Sequence, residues 1–372
     1  MSNSNDENDS NTARVKIAVL GSLSDTEGPL QVLDTLPSSA KVVAIGPNID
    51  EWKSHEKWKS TYHEANVLLI ASANGDILSN ALRALPRCEW IQGMFAGLDH
   101  LECPEFIEFD NDGTKVVTNA KGVFSSSLAE WGLFAAVYWN KNLPRFHRNQ
   151  KDHKWETFTV GELRGKTFGI IGYGDIGQKT AVLAKAYGLQ VIACRRRPEL
   201  SAGDSNCDEC LGMDGMQAIM ARSDFVFLAA ALTPKTAGMI SRQVLDSAKD
   251  GQIFINIGRG KLVDEQALAE ILAKNATAGD GLNKGDVLSK GIRAAALDVF
   301  CTEPLPTSSP LWDLPNVLVS SHNADMTEGF RHNSVASFVE NVRRFVGEGD
   351  GDAAGKSGNA ALHNKVSARE GY

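Results

Sequence analysis

The chain predicts an α/β protein built as two doubly wound units, each a parallel sheet with helices on both faces. Three observations carry this. Short apolar runs rich in branched residues alternate with helix-length stretches from Val15 onward, and apolar strands joined by helical crossovers mean a sheet buried on both sides. The series runs once to residue 118, gives way to a long, largely apolar stretch over Ser125–Asn140, and then restarts. The second series opens on a Gly-x-Gly-x-x-Gly pattern, Gly172 to Gly177, placed between a strand-like and a helix-like run. At 372 residues the chain has room for about two domains.

In order, the first series offers strands at 16–20, 41–45, 65–70, 90–92 and 115–118. The apolar stretch 125–140 reads as a helix, and 145–156 as a polar connection. The second series offers strands at 167–171, 190–193, 224–229, 252–255, 293–297 and 317–319, the six that a complete dinucleotide-binding domain needs. Residues 276–290, rich in Gly, Asn, Asp and Lys, read as a loop insertion. The last helix spans 327–347 and is followed by a Gly/Ala/Ser-rich mobile tail at 348–361. The expected organisation is a disordered polar arm at 1–14, one domain from 15–118 with 324–372, and a second domain over 119–323.

Bulk properties narrow the function. Hydrophobic residues are 42% and charged residues 23%, values of a soluble globular protein. A net charge of -8 argues against a general electrostatic role on nucleic acid or anionic membrane, and no apolar run approaches the ~20 residues of a membrane helix. The arm at 1–14 is neither a secretory signal nor an Arg-rich transit peptide, so a cytoplasmic location is expected. The six cysteines are scattered, which is not a disulfide framework; Cys207 and Cys210 form a CxxC with no second pair, read as a polar surface loop and not a metal site.

The glycine pattern carries the first chemistry. Gly172 permits a tight turn, Gly174 lets the backbone approach a pyrophosphate, and Gly177 lets helix and strand pack closely. The helix that starts at Asp175-Ile176 brings unpaired N–H groups and a positive dipole end to the phosphates. Gly188 is placed to end that helix. At the end of the next strand an acidic residue would bind the ribose 2′-hydroxyl of NAD; this chain has Cys194-Arg195-Arg196-Arg197 instead. Arg195 and Arg196 therefore point to NADP(H) as the preferred cofactor, since one charge-assisted Arg–phosphate bond of roughly 1.5–3 kcal/mol gives about tenfold preference or more. NAD(H) or dual use is the alternative.

From about Trp90 to about Phe345 the chain resembles the D-isomer-specific 2-hydroxyacid dehydrogenases. The segments that carry the likeness include Gly97-Leu98-Asp99-His100, Thr118 to Val123, Leu128-Ala129-Glu130-Trp131, Gly169 to Gly177, Leu232 to Thr236, Asn256 to Asp264, Leu297 to Phe300, Glu303-Pro304-Leu305 and Ser321-His322. The resemblance implies two Rossmann-like units, a flavodoxin-like substrate domain and a dinucleotide-binding domain. It implies a small 2-oxo or D-2-hydroxy acid as substrate. It further implies a homodimer through the 125–140 region, and domain closure on hinges near 117–119 and 321–325. It assigns Arg259 as the carboxylate clamp, His322 as the acid–base group and Glu303 as its carboxylate partner. These suit the chemistry, because a planar guanidinium can hold a carboxylate and polarise the adjacent carbonyl, and an imidazole can give or take the proton. By position it also assigns Asp298 to the nicotinamide carboxamide, and Ala230, Ala231, Thr236, Ile257 and Gly258 to the cofactor. The backbone at Ala96-Gly97, with Asn74, is assigned to the substrate.

The sequence departs from the family at Ala231, where proline is frequent, and at Asn323-Ala324-Asp325, where Ile-Gly or Ala-Gly is frequent. Glu303 disfavours the formate enzymes, which have glutamine there, and the tail is too short for the regulatory domain of many phosphoglycerate enzymes. The leading expectation is hydride transfer between NADP(H) or NAD(H) and a small acid such as glyoxylate or hydroxypyruvate. The alternative is a dinucleotide-sensing, corepressor-like interaction protein of the same fold.

Overall fold

The computed structural model describes residues 13–23, 28–276, 289–348 and 357–367. Most of the expected arm at 1–14, the bulk of the insertion at 276–290 and most of the tail at 348–361 lie outside the described residues. Contacts divide the chain into two compact units, Met1–Val123 with Glu328–Tyr372, and Phe124–Thr327.

The first unit holds five parallel strands: β1 (Val15–Leu20), β2 (Ala40–Gly46), β3 (Val67–Ile70), β4 (Trp90–Gly93) and β5 (Val116–Thr118), in the order β2-β1-β3-β4-β5. That order is the flavodoxin-like one. The period-2 geometry of a strand sorts β1 cleanly. Ala18 and Leu20 join Trp52, Leu78 and Phe106 on one face. Ile17 and Val19 join Trp90 on the other, under Val335, Phe338, Val339 and Val342 of the helix Phe330–Val346. The final helix thus completes the first unit although more than two hundred residues separate it from β5. It stops at Gly347, whose φ of 91° is the left-handed cap that glycine adopts without strain.

The second unit holds seven parallel strands: β6 (Thr167–Ile171), β7 (Gln190–Cys194), β8 (Glu209–Leu211), β9 (Phe225–Leu228), β10 (Gln252–Asn256), β11 (Ile292–Leu297) and β12 (Val317–Val319). Their order, β12-β11-β10-β9-β6-β7-β8, is the Rossmann order extended by one strand. The helix Ser125–Asn140 lies across this sheet. Gly132 leaves room for the Phe227 ring, which an added Cβ would approach to 2.7 Å, and Trp139 Nε1 donates to the Ala295 carbonyl at 3.1 Å.

Two expectations need correction. The CxxC segment is not simply a polar loop: Cys210 lies on β8, opposite Ala193 of β7, so the sheet has seven strands and not six. β8 is three residues long, paired on one side only and half-buried throughout, so it leaves no apolar run to read. The polar connection at 145–156 also contains a helix, Leu143–Lys151, which starts on Pro144 and has only Asn149 buried. All six cysteines are free thiols.

Candidate active site

Parallel strands end on the same side of their sheet, and the carboxyl ends of β6, β7, β9, β10, β11 and β12 carry nearly all the residues that the sequence singled out. β6 and β9 are neighbours where the strand order reverses, the place at which open α/β sheets bind ligands.

The turn after β6 is built on its glycines. Gly172 has φ 99°, and its amide donates to Cys194 O at 3.0 Å. A Cβ there would sit 2.6 Å from Ala230 N. A Cβ on Gly177 would sit 2.6 Å from the Gly172 carbonyl. Gly174 differs, because nothing lies within 4 Å of a Cβ built on it. The backbone at Gly174 is therefore open, and the helix Asp175–Ala186 begins there with no side chain capping its first amides. That combination fits a dinucleotide pyrophosphate. Asp175 pairs with Lys179 at 3.5 Å across one helical turn. The Ile176 carbonyl accepts from Thr180 Oγ1 at 2.8 Å. Tyr173 is fully buried, and its hydroxyl donates to Asp204 at 2.7 Å; burial comes first among the causes that raise its pKa.

Arg195 leaves the end of β7 with its amide bonded to Leu211 O at 3.0 Å, and its guanidinium donates to Ser201 Oγ at 2.9 Å. The hydroxyl holds the guanidinium at the end of the strand where a ribose would lie. Arg196 is exposed beside it. Ser201 was not legible as a site residue, since it lies on a short 3₁₀ turn, Pro198–Ser201, with no periodic pattern.

The loop after β9 carries Ala230 and Ala231 and is closed by Thr236, whose hydroxyl donates to the Ala231 carbonyl at 2.7 Å and accepts from the Thr233 amide at 2.8 Å. After β10, Ile257 is buried and its amide bonds Leu228 O at 3.2 Å. Asn256 then shapes the turn that presents Arg259: its Oδ1 accepts from Gly258 N at 3.0 Å and its Nδ2 donates to Arg259 O at 3.3 Å. Arg259 is half-buried, with Nη1 donating to the Gly258 carbonyl at 2.8 Å. Gly260 lies so close against the Phe300–Cys301 peptide that no side chain fits there, which brings the Arg259 turn onto the segment leading to Glu303.

Glu303 and His322 meet directly. Glu303 Oε2 and His322 Nδ1 are 2.8 Å apart, and Glu303 Oε1 accepts from the Phe300 amide at 2.8 Å. Both side chains keep about two-fifths of their surface accessible. The bond to Glu303 raises the His322 pKa above its ordinary value, against burial and the nearby Arg259 charge, which lower it. For Glu303, burial pushes the pKa up, but the bonds from His322 and the Phe300 amide, with the charges of His322 and Arg259, bring it below its ordinary value. The pair therefore favours carboxylate and imidazolium, with His322 Nε2 the ring nitrogen not engaged by Glu303.

Asp298 is 1% exposed at the end of β11. Asp325 also lies close: burial raises its pKa, the His322 charge opposes this and that of Asp298 adds to it. Neither Ser320 nor Asp325 was singled out from the sequence as a site residue, as a serine and an aspartate in a loop carry no pattern of their own.

The remaining candidates belong to the first unit. Asn74 caps the helix Gly75–Ala84, with Oδ1 accepting from Ile77 N at 3.0 Å. The Ala96 carbonyl accepts from Asn119 Nδ2 at 2.6 Å, which ties down the loop after β4. Among the described residues the amides of Ala96 and Gly97 have no protein acceptor, as donors to a ligand would require.

A seven-stranded doubly wound sheet with an open glycine turn at its switch point defines the class: a dinucleotide-binding domain. The family profile described as D-isomer specific 2-hydroxyacid dehydrogenase, NAD binding domain, matches residues 133–288 and 285–324. The glyoxylate/hydroxypyruvate reductase B of Pectobacterium atrosepticum is 37% identical over 280 residues, 73% of this chain and 80% of that protein. The hydroxypyruvate reductase of Thermotoga maritima is 30% identical over 290 residues, 76% and 86% respectively. The chain belongs to the D-isomer specific 2-hydroxyacid dehydrogenase family. The D-3-phosphoglycerate dehydrogenase of Mycobacterium tuberculosis is 31% identical over 318 residues, 84% of this chain but 56% of that one, so the chain spans only about half the length of such relatives. Its fold matches a D-isomer specific 2-hydroxyacid dehydrogenase from Xanthobacter autotrophicus, solved with NADPH and MES, at a TM-score of 0.75 with 23% identity, over 97% of this chain and 100% of that one. Among the described residues no helix is long and apolar enough to cross a membrane, and no group of three or more His, Cys, Asp or Glu side chains could hold a metal ion.

Proposed function

We propose that this protein reduces small 2-oxo acids to D-2-hydroxy acids, with NADP(H) preferred over NAD(H). The observation that carries the reading is the 2.8 Å contact between His322 Nδ1 and Glu303 Oε2 on the sheet edge that also carries Arg259. The nicotinamide supplies or accepts the hydride. Arg259 holds the substrate carboxylate and polarises the neighbouring carbonyl. His322 donates the Nε2 proton to the carbonyl oxygen as it becomes a hydroxyl, and takes it back in the oxidative direction. Glu303 keeps the ring oriented and offsets the imidazolium charge. Gly172, Gly174 and Gly177 bind the pyrophosphate, and Arg195, held by Ser201, binds the 2′-phosphate with Arg196. Asp298 accepts from the carboxamide. Relatives named for glyoxylate and hydroxypyruvate support a substrate of that size. A homodimer through the Ser125–Asn140 region and a cytoplasmic location complete the reading.

The test is steady-state oxidation of NADPH and NADH, side by side, against glyoxylate, hydroxypyruvate, pyruvate and phenylpyruvate, with NADP-dependent oxidation of D-3-phosphoglycerate as a further arm. Turnover with NADPH well above NADH on a small 2-oxo acid is the expected result. NADH equal or better overturns the cofactor preference. Turnover of D-3-phosphoglycerate alone overturns the substrate class.

A further inference from the structure

His322 sits in an unusual backbone conformation. Its φ is 57°, one of four non-glycine residues in the described chain with positive φ. Such a residue persists only where its surroundings over-determine it. The constraint comes from Asp298. The Asp298 carbonyl accepts from His322 N at 2.9 Å. Its Oδ1 accepts from Ser320 Oγ at 2.6 Å, Asn323 N at 2.9 Å and Ala324 N at 3.2 Å. Among the described residues its Oδ2 accepts only a long 3.3 Å bond from Ala324 N. On the far side, Ser127 Oγ donates to Ala324 O at 2.6 Å. One buried carboxylate thus binds the residues on both sides of His322, and bonds to an ionised acceptor are about twice as strong as neutral ones.

We propose that Asp298 and Ser320 form a clamp that fixes the left-handed turn at His322 and so aims its ring at Glu303. Ser320 is a positioning residue for the proton-transfer step, and Asp298 positions the ring through Oδ1 while Oδ2 stays available to a ligand. The inference deepens the proposed reductase reading and rests on it only for the catalytic consequence; the geometric claim stands apart. The charged groups around His322 are Glu303, Arg259, Asp298 and Asp325. Of these, only Glu303 holds the ring by a hydrogen bond, so a slackened turn weakens that bond first.

The experiment compares the wild-type protein with Ser320→Ala and Ser320→Thr. Two readouts are used: the pH profile of reductive kcat/KM, and the His322 pKa from NMR titration of the imidazole C–H signals. For Ser320→Ala we expect kcat to fall roughly tenfold, as a modest misplacement of a reacting group would cause. The KM for NADPH should stay unchanged, and the His322 pKa should move down toward its ordinary value. Ser320→Thr keeps the hydroxyl and should restore both. A lower melting temperature with an unmoved His322 pKa and pH profile would overturn the clamp. A lowered His322 pKa in a protein without reductase activity would uphold the clamp and count against the reductase reading instead.

Discussion

The two units solve the same packing problem at the end of their first strand, but only one of the solutions opens onto the proposed dinucleotide site. After β1, Gly21 has φ 119°, its amide bonds Gly46 O at the end of β2, and a Cβ on it would sit 2.5 Å from Ser72 N just past β3. After β6, Gly172 has φ 99°, its amide bonds Cys194 O at the end of β7, and a Cβ would sit 2.6 Å from Ala230 N just past β9. In each case the chain leaves a strand wedged between two neighbours, and only a residue without a side chain can turn there. The two units part company immediately after that glycine. Beyond Gly172 come the open backbone of Gly174 and a helix, Asp175–Ala186, that starts at once; the corresponding helix of the first unit, Pro29–Leu33, has five residues. A positive-φ glycine at this point is thus a property of the doubly wound sheet, and the proposed phosphate site rests on the next five residues.

The largest effect on this comparison is expected at the proposed catalytic edge of the second unit. His322→Ala should lower kcat by roughly 10²–10⁴-fold, the usual contribution of a positioned acid–base group. Arg259→Ala should lower kcat and raise the KM for the 2-oxo acid together. Both are read from steady-state kinetics, and near-normal turnover in either variant would rule that residue out of its proposed role.

Glycine substitutions sharpen the comparison itself. Gly21→Ala and Gly172→Ala should each cost about 1–3 kcal/mol of stability in denaturant titrations, because both force a Cβ into a positive-φ turn. Only Gly172→Ala should also weaken NADPH binding. Gly174→Ala should leave stability nearly unchanged, since its Cβ meets nothing, while weakening NADPH binding severalfold. Equal NADPH affinity in Gly174→Ala and wild type would mean that the phosphates do not lie against that backbone.

A smaller effect is expected at Arg195. Its replacement by Ala should raise the KM for NADPH about tenfold, the worth of one charge-assisted bond, and leave the KM for NADH almost unchanged. An equal loss for both cofactors would point to a folding role for the Arg195–Ser201 bond.

The smallest effects concern pH. Reduction needs His322 protonated, so reductive kcat/KM should decline as pH rises through a His322 pKa that lies above 6.5. Glu303→Gln should move that decline to lower pH. The stability linkage has two signs. The raised His322 contributes stability below its ordinary 6.5, lost as pH rises through the folded pKa, and the lowered Glu303 contributes stability above its ordinary 4.5, lost as pH falls through its folded pKa. The stability difference between wild type and Glu303→Gln should therefore be greatest between 4.5 and 6.5 and shrink on either side, a pattern that urea titrations across pH would test. Both groups are well exposed, so the difference should be small.

The apolar strands were legible where burial leaves a run of apolar residues, as in β6; β12, although a half-buried edge strand of three residues, keeps the run Val-Leu-Val. β8 was not, because its three half-buried residues, Glu-Cys-Leu, make no apolar run. At the site, Gly172, Arg259, Glu303 and His322 stand in short motifs. Ser201 and Ser320 act only through what they touch: a guanidinium and a buried carboxylate.

By itself, then, the sequence determined the α/β class and the two strand series, since local hydrophobic period and glycine spacing follow from backbone geometry, while the family resemblance supplied the candidate reactive side chains. Only the tertiary structure decided that Ser127 ties down Ala324 and that Trp139 donates to the Ala295 carbonyl. It also decided that Asp298 binds the residues on either side of His322. Those are contacts among segments far apart in the chain, and their partners are set by which strand ends the parallel sheet brings side by side.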